Sequence, residues 1–285
     1  MNEQGVLWAD MKNKIMHAVK SRTVEISSII SALLLWQLVA DLIVRNKFFL
    51  PSILDVISAA VTIVQRPSVL EIGSLAIEIP VIFVDLLQSL LHFSIGMVAA
   101  LVIGIPIGMI MGWFTTLNRV LDPIIEMLRP IPPLAWIPFA IIWLGLTPVS
   151  AGFLIFIGAV FPVIINTFTG LKNVPKVYVE AAKVLGCRQE RDLIRYVALP
   201  SALPSIAAGI RIAIGVGWMC LVAAEMFGVS KYGLGFKIWH HYHLHQMDMV
   251  LVYMMVLGLL GLLIDKVLRY VIDEHLLKWQ AGVVR

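Results

Sequence analysis

Charged and metal-ligating side chains set in apolar surroundings are the first candidates for chemistry in this chain. The run "HHYHLH" at residues 240–245 brings His240, His241, His243 and His245 close together, and neutral imidazoles are common metal ligands. Spacing alone does not supply ligand geometry. A helix spreads the four around its cylinder, whereas an extended strand puts His241, His243 and His245 on one side. The expectation is a solvated outer segment that touches a partner or titrates near neutral pH, and no metal site. Arg211 and Glu225 lie inside an apolar stretch, where a charge is costly and must face a cavity or a partner. On one helix they share a similar face but stand roughly 21 Å apart along the axis, too far to pair. A guanidinium at Arg211 would attract an anion; the alternative is a side chain paired at the cytoplasmic edge or bonded to backbone carbonyls. No G-x-x-x-x-G-K-[ST] loop is present, so the chain lacks the glycine cradle and lysine that hold ATP phosphates, and any ATP-derived energy must come from a partner.

The elements that position these residues are membrane helices. Of 285 residues, 60% are hydrophobic and 14% charged, and the mean hydropathy is +0.91, far from the balance of a soluble domain. Ile26–Val44, Leu86–Gly112, Pro133–Leu146, Val149–Thr169, Ala202–Phe227 and Val250–Val271 are mostly apolar, and most reach the ~20 residues that cross a bilayer. About six spanning helices are expected in an all-α membrane protein. Pro133–Leu146 is short and must be supported by its neighbours, because lipid cannot satisfy exposed backbone groups. Residues 1–23 lack the apolar core of a cleavable signal, so the first apolar run is read as an uncleaved helix. Cys187 and Cys220 are too few and too differently placed for a disulfide framework.

Lysine and arginine set the orientation. With the N-terminus inside, six crossings place Lys12, Lys14, Lys20, Arg22, Arg119, Arg129, the basic residues of 172–195, Lys266, Arg269, Lys278 and Arg285 in or beside the cytoplasm. Arg45, Lys47, Arg66, Lys231 and Lys237 remain outside. Both termini are then cytoplasmic, with a segment 1–23 followed by one membrane domain, 24–285. The formal net charge of +4 is explained by this topology and calls for no nucleic-acid partner.

Three further stretches carry local signals. "FFLPSILDVISAAVTIV" predicts a short helix at the outer interface, or a lid packed on the bundle. Gly104, Gly108 and Gly112 repeat every four residues along one face, with Gly96 before them, and small residues at this spacing let helices approach closely. "RPIPPLAWIPF" places Arg129, Pro130, Pro132, Pro133 and Pro138 where they prevent a regular helix, so a kink or a broken helix beside a pathway is expected. Trp136, Trp143 and Trp218 either line such a path or anchor at the membrane interfaces.

The most charged interruption is "EAAKVLGCRQERDLIRYVALPSALPSI", residues 180–206, within a loop at about 171–200. Asn173 is a plausible cap and Pro175 suits a first turn, so a helix is expected to run through Glu180, Ala181, Ala182 and Leu185 until Gly186 ends it. A second helix is expected from about Gln189, with Leu193, Ile194 and Val197 forming its apolar stripe, and Pro200 ending it. Two short helices meeting at glycine make a rigid knob; composition alone favours a solvated polar loop.

"EAAKVLG" followed by "VALP" resembles the EAA loop of the membrane subunits of ATP-binding-cassette importers, the element that docks on the ATPase subunit in that family. The resemblance assigns Glu180, Ala181, Ala182, Gly186, Val197, Leu199 and Pro200 to the coupling motif. Ten residues separate Gly186 from Val197, one more than the family's usual nine. The stretch from "GIPIGMIMGWFTTLNRVLDP" to "GLKNVP", with "LPSALPSIAAGIRIAIGVGWMCLVAAEM" and "GLGFKIW", looks like the nitrate, sulfonate and taurine branch of these permeases, from about Phe49 to Arg269. His92 in "SLLHFSIGM" stands where an arginine is common in that branch.

The resemblance implies a type I importer permease fold in a prokaryotic cytoplasmic (inner) membrane. It implies a second copy of this chain, two cytoplasmic ATPases that bind ATP and Mg, and an external solute-binding protein. The pathway candidates are Arg211, Trp218, Glu225, Arg129, Pro132 and Trp143. The implied cargo is a small anion such as nitrate, a sulfonate, taurine or bicarbonate, although similar permeases serve vitamin precursors such as pyrimidines. A secondary carrier or channel is a competing class that leaves the Glu-Ala-Ala loop unexplained, and a membrane scaffold whose cytosolic loop recruits some other partner is a third.

Overall fold

The computed structural model describes residues 24, 26–72, 75–229, 232–272 and 274. The expected N-terminal segment 1–23, together with Lys231, Lys278 and Arg285, lies outside the described residues.

Five helices among the described residues are long and apolar enough to cross a membrane: α1 (Ile26–Val44), α3 (Val81–Trp113), α6 (Pro148–Lys172), α8 (Glu190–Met226) and α10 (Met247–Val271). A bent pair, α4 (Thr115–Leu128) and the stretch Pro133–Leu144, whose axes differ by 86°, meets the same test when taken together and brings the candidate spans to six when counted as one. The helix in 115–128 has no counterpart in the hydropathy pattern, because its apolar residues occupy one stripe among Asn118, Arg119, Asp122 and Glu126. Pro130, Pro132 and Pro133 break the pair as expected. The chain re-enters helix through a 3₁₀ turn, Pro133–Trp136, that starts α5 (Ile137–Leu144).

Tight packing of α3, α6 and α8 forms the centre. Phe93, Met97 and Ala100 from α3, Ile155, Ala159 and Val163 from α6, and Ala213 and Leu221 from α8 share one buried cluster. The glycine stripe of α3 makes this possible: Gly96, Gly104, Gly108 and Gly112 all face α6. A Cβ on Gly108 would lie 2.6 Å from the Ile164 carbonyl oxygen, so the two backbones are in direct contact. Pro106, within this stretch, leaves α3 continuous. Lengths of 33 and 37 residues give α3 and α8 roughly 50 Å each at ~1.5 Å per residue, beyond the ~30 Å hydrocarbon core, so both tilt or project from it.

The described residues between α1 and α3 include a helix and a hairpin. Ser52 opens α2 (Ile53–Gln65) with a capping box shared with Asp55, and Val56, Ala59 and Ile63 pack this predicted helix on α3 and α10. An antiparallel hairpin follows, β1 (Pro67–Ile72) and β2 (Leu75–Pro80), in register from Pro67 opposite Pro80 to Ile72 opposite Leu75. Periodicity did not predict it, and it is the β structure found among the described residues.

Candidate functional site

The charged loop folds as a helical elbow at one end of the bundle. Asn173 closes α6, with its backbone N–H bonded to Thr169, rather than opening the next helix. Helix α7 (Lys176–Val184) starts after Pro175 without a side-chain cap. It ends at Gly186, whose φ of +101° suits only glycine comfortably. The Gly186 N–H reaches the Lys183 carbonyl and the Cys187 N–H reaches the Ala182 carbonyl, the paired bonds of a Schellman motif.

Pro200 does not end the second helix, contrary to the sequence expectation. A π-helical turn at Ile194–Ala198 widens the backbone before it, and the Leu199 N–H bonds five residues back to the Ile194 carbonyl. This turn absorbs the missing donor and the ring's clash with the preceding turn, so helix α8 runs unbroken from the elbow to Met226.

The elbow carries the two most exposed large apolar side chains among the described residues. Val184 and Leu185 are 87% and 86% exposed. Tyr178, Ala181 and Leu185 face Tyr196, Val197 and Pro200 across a groove of about 680 Å³. Glu180 and Ala181 are exposed, while Ala182, also on α7, is buried and Leu199 packs on a cluster of Leu171, Ala198, Ala202 and Ile206. The predicted motif residues thus divide into a presenting surface and its support. Trp113, the last residue of α3, donates its indole N–H to Glu190 across 3.2 Å and ties the elbow to the bundle.

A second concavity, a cleft of about 310 Å³, opens between the broken span, α6 and α8. Arg129, Pro133, Phe161, Asn166, Ile212 and Val216 line it, and Arg129 supplies its charge. Pro132 accepts from the Ala135 N–H and shapes the 3₁₀ turn beside the cleft. Arg211 is half-buried next to Ile212. Trp143 is exposed and packs on Phe139 and Phe153.

Two grouped residues lie elsewhere. Trp218 sits edge-on to Phe93 within the packed bundle. Glu225 is fully buried and does not line the cleft. Its carboxylate accepts from Ser89 Oγ at 2.9 Å, from His92 Nδ1 at 2.8 Å and from the Gly235 N–H at 2.8 Å. Sequence reading missed these partners. The signal was the polar series Asp85, Ser89 and His92 on one face of a largely apolar helix.

The histidine run lies on and just after helix α9 (Leu234–His243). His241 is buried, its Nδ1 bonded to Gln246 Oε1 and its ring stacked on Tyr253. Burial pushes its pKa below the ordinary imidazole value. His243 Nδ1 bonds the Trp239 carbonyl, and His245 adopts φ +58°. Among the described residues no three His, Cys, Asp or Glu side chains converge as a metal site.

Comparison with known proteins agrees with this architecture. Residues 104–274 match the family described as binding-protein-dependent transport system inner membrane component. A putative ABC transporter permease of Methanocaldococcus jannaschii is 40% identical over 269 residues, covering 93% of this chain and 97% of that protein. The taurine transport system permease of Escherichia coli is 33% identical over 261 residues, covering 92% and 91%. The fold is that of a chain in the inward-facing MetNI methionine ABC transporter, with a TM-score of 0.52 at 21% identity over 66% of this chain and 94% of that one. The unbroken α8, the helical elbow and these matches lead to one conclusion: the chain belongs to the binding-protein-dependent transport system inner membrane component family and is the membrane subunit of an ABC importer.

Proposed function

We propose that two copies of this chain form the pathway of an importer for a small anion such as taurine, another sulfonate, nitrate or bicarbonate. Two cytoplasmic ATPases binding ATP and Mg drive it, and an external solute-binding protein loads it. The elbow faces the cytoplasm, as do both termini, in a prokaryotic cytoplasmic membrane.

The carrying observation is the elbow itself. Apolar side chains as exposed as Val184 and Leu185, held on a helix with a fixed glycine stop and joined directly to a spanning helix, suit a contact with a protein groove. Glu180 orients that contact by charge. Closure of the ATPase dimer on ATP displaces α7, and α8 carries the displacement into the bundle because no break separates the two regions of that helix. The two packings of the bundle exchange stability, so the pathway opens alternately to each side.

For the cargo, Arg129 is a permanent cation at the cleft and Arg211 stands close by in sequence to its lining. The taurine relative supports the same class. Proteoliposomes holding this chain with its ATPase and binding protein test the reading: ATP on the ATPase side should drive uptake of labelled taurine, nitrate or bicarbonate. ATP-dependent uptake only of solutes that carry no sulfonate, nitrate, carboxylate or other anionic group overturns the anion assignment.

A further inference from the structure

The end of α8 opposite the elbow is tied to α9 by a buried polar contact that packing alone does not require. Helix α8 closes with a Schellman pair, Gly228 N–H to Glu225 O and Val229 N–H to Ala224 O. The chain then returns so that the first amides of α9 meet side chains from two other helices. Ser89 Oγ, on α3, accepts the Leu234 N–H at 2.9 Å while donating to Glu225. Glu225 accepts the Gly235 N–H, and His92 holds the other carboxylate oxygen. Ser89, His92, Glu225 and Leu234 have no exposed surface.

The local sequence is built around this contact. Gly233 has φ +114°, and a Cβ there would overlap the Glu225 carboxylate. A Cβ on Gly235 would lie 2.8 Å from the Val222 carbonyl oxygen and 2.9 Å from Glu225 Cβ. The two glycines of "GLGF" therefore admit the α9 backbone to the carboxylate. A second tie runs parallel: Tyr253 Oη, on α10, donates to Asp85 Oδ2 at 3.1 Å, and Lys237 Nζ, on α9, stands 3.9 Å from Asp85 Oδ1.

We infer that Glu225 is a positioning residue for transport, a latch that makes α9 move with α8. The inference rests on the reading of the elbow as the ATPase contact. Helix α8 then joins that contact to the latch as one rod of roughly 50 Å at ~1.5 Å per residue, and movement imposed at the elbow arrives at α9 on the other side of the membrane. Without the latch, α8 still moves and ATP is still hydrolysed, but α9 no longer follows, so solute passage is lost from the cycle. A residue with a structural role alone would lower transport and hydrolysis together.

The test uses the whole transporter with its ATPase and binding protein, carrying Glu225→Gln or the milder Ser89→Ala. Hydrogen exchange of the peptide spanning Leu234–Lys237 reports the latch, and solute moved per ATP hydrolysed reports coupling. The expected result is at least tenfold faster exchange of the Leu234 and Gly235 amides in Glu225→Gln. Solute moved per ATP should fall at least tenfold while ATPase co-purification and hydrolysis stay within twofold. Ser89→Ala should show the same pattern more weakly. Unchanged exchange, faster exchange with an unchanged solute-to-ATP ratio, or a parallel loss of transport and hydrolysis in both variants overturns the inference. Absence of any ATPase from the unsubstituted complex would instead overturn the elbow reading, and the amide exchange still reports whether the latch exists.

Discussion

Gly108 on α3 and Thr167 on α6 pack so closely that a Cβ added to the glycine would lie 2.6 Å from the threonine Cβ. The same Cβ would meet the Ile164 carbonyl oxygen, which belongs to the helix backbone and has little room to retreat. This contact sets the spacing of the central helices, and every site described above hangs from them.

Gly108→Ala should therefore destabilise the protein by about 1–3 kcal/mol through overpacking. Gly258→Ala, on α10, has nothing within 4 Å of its added Cβ and should be neutral or slightly stabilising because alanine favours helix. Thermal unfolding in one detergent compares them. Equal melting temperatures would show that α3 and α6 do not rely on the close approach.

Gly186→Ala isolates the backbone requirement of the elbow. No atom lies within 4 Å of an added Cβ, so sterics outside the residue itself play no part. The left-handed conformation is expected to cost about 1 kcal/mol or more, which misaligns α7 with the start of α8. Co-purified ATPase should fall while the amount of inserted protein stays the same. Normal ATPase recovery would show that the glycine stop does not position the knob.

Arg129→Gln removes the charge of the cleft and leaves a shorter, polar side chain. Anion uptake at low substrate should fall severalfold, with hydrolysis in the assembled transporter retained. Uptake equal to that of the unsubstituted transporter would remove Arg129 from the pathway. Arg211→Gln, measured alongside, separates an effect of the cleft from one of its neighbour on α8.

The buried His241 predicts an acid-side loss of stability. Its pKa is lowered first by burial, with His240, Lys237 and Arg66 opposing a further positive charge, against the raising effect of its bond to Gln246. The unfolded chain binds the proton more readily, so this contribution is fully present above the ordinary imidazole range of about 6.5 and is lost as pH falls through the lowered folded value. Asp55 is also lowered, chiefly by its hydrogen bond to Lys47, but acts in the more acidic carboxylate range. Melting temperature should drop between neutral pH and about pH 5.5, near where imidazoles titrate, and His241→Gln should flatten that drop. An unchanged slope in the variant would show that another group titrates.

The spans and the elbow were legible because they depend on local signals: apolar length, the glycine at 186 and the Glu-Ala-Ala run. Pro200 was misread because a proline stops a helix only when the preceding turn cannot widen, and the π-helical turn at Ile194–Ala198 depends on packing of Leu193 and Ala198. Helix α4 has no apolar run of its own, because its apolar residues form one stripe among Asn118, Arg119, Asp122 and Glu126, and a bend of 86° separates it from Pro133–Leu144. Glu225 was recognised as needing a partner, but Ser89 and His92 are more than a hundred residues away in sequence, and only the fold brings them to its carboxylate.

The central claim is that the elbow is the contact through which an ATPase drives this chain. Mild-detergent purification of the chain from its native membrane, with mass spectrometry of the co-purifying proteins and Glu180→Lys in parallel, tests this most directly. The account predicts that an ATPase with a phosphate-binding loop accompanies the unsubstituted chain and is lost or sharply reduced with Glu180→Lys, whose insertion is unchanged. Recovery of the chain without any ATPase, while it still moves solute, would contradict it.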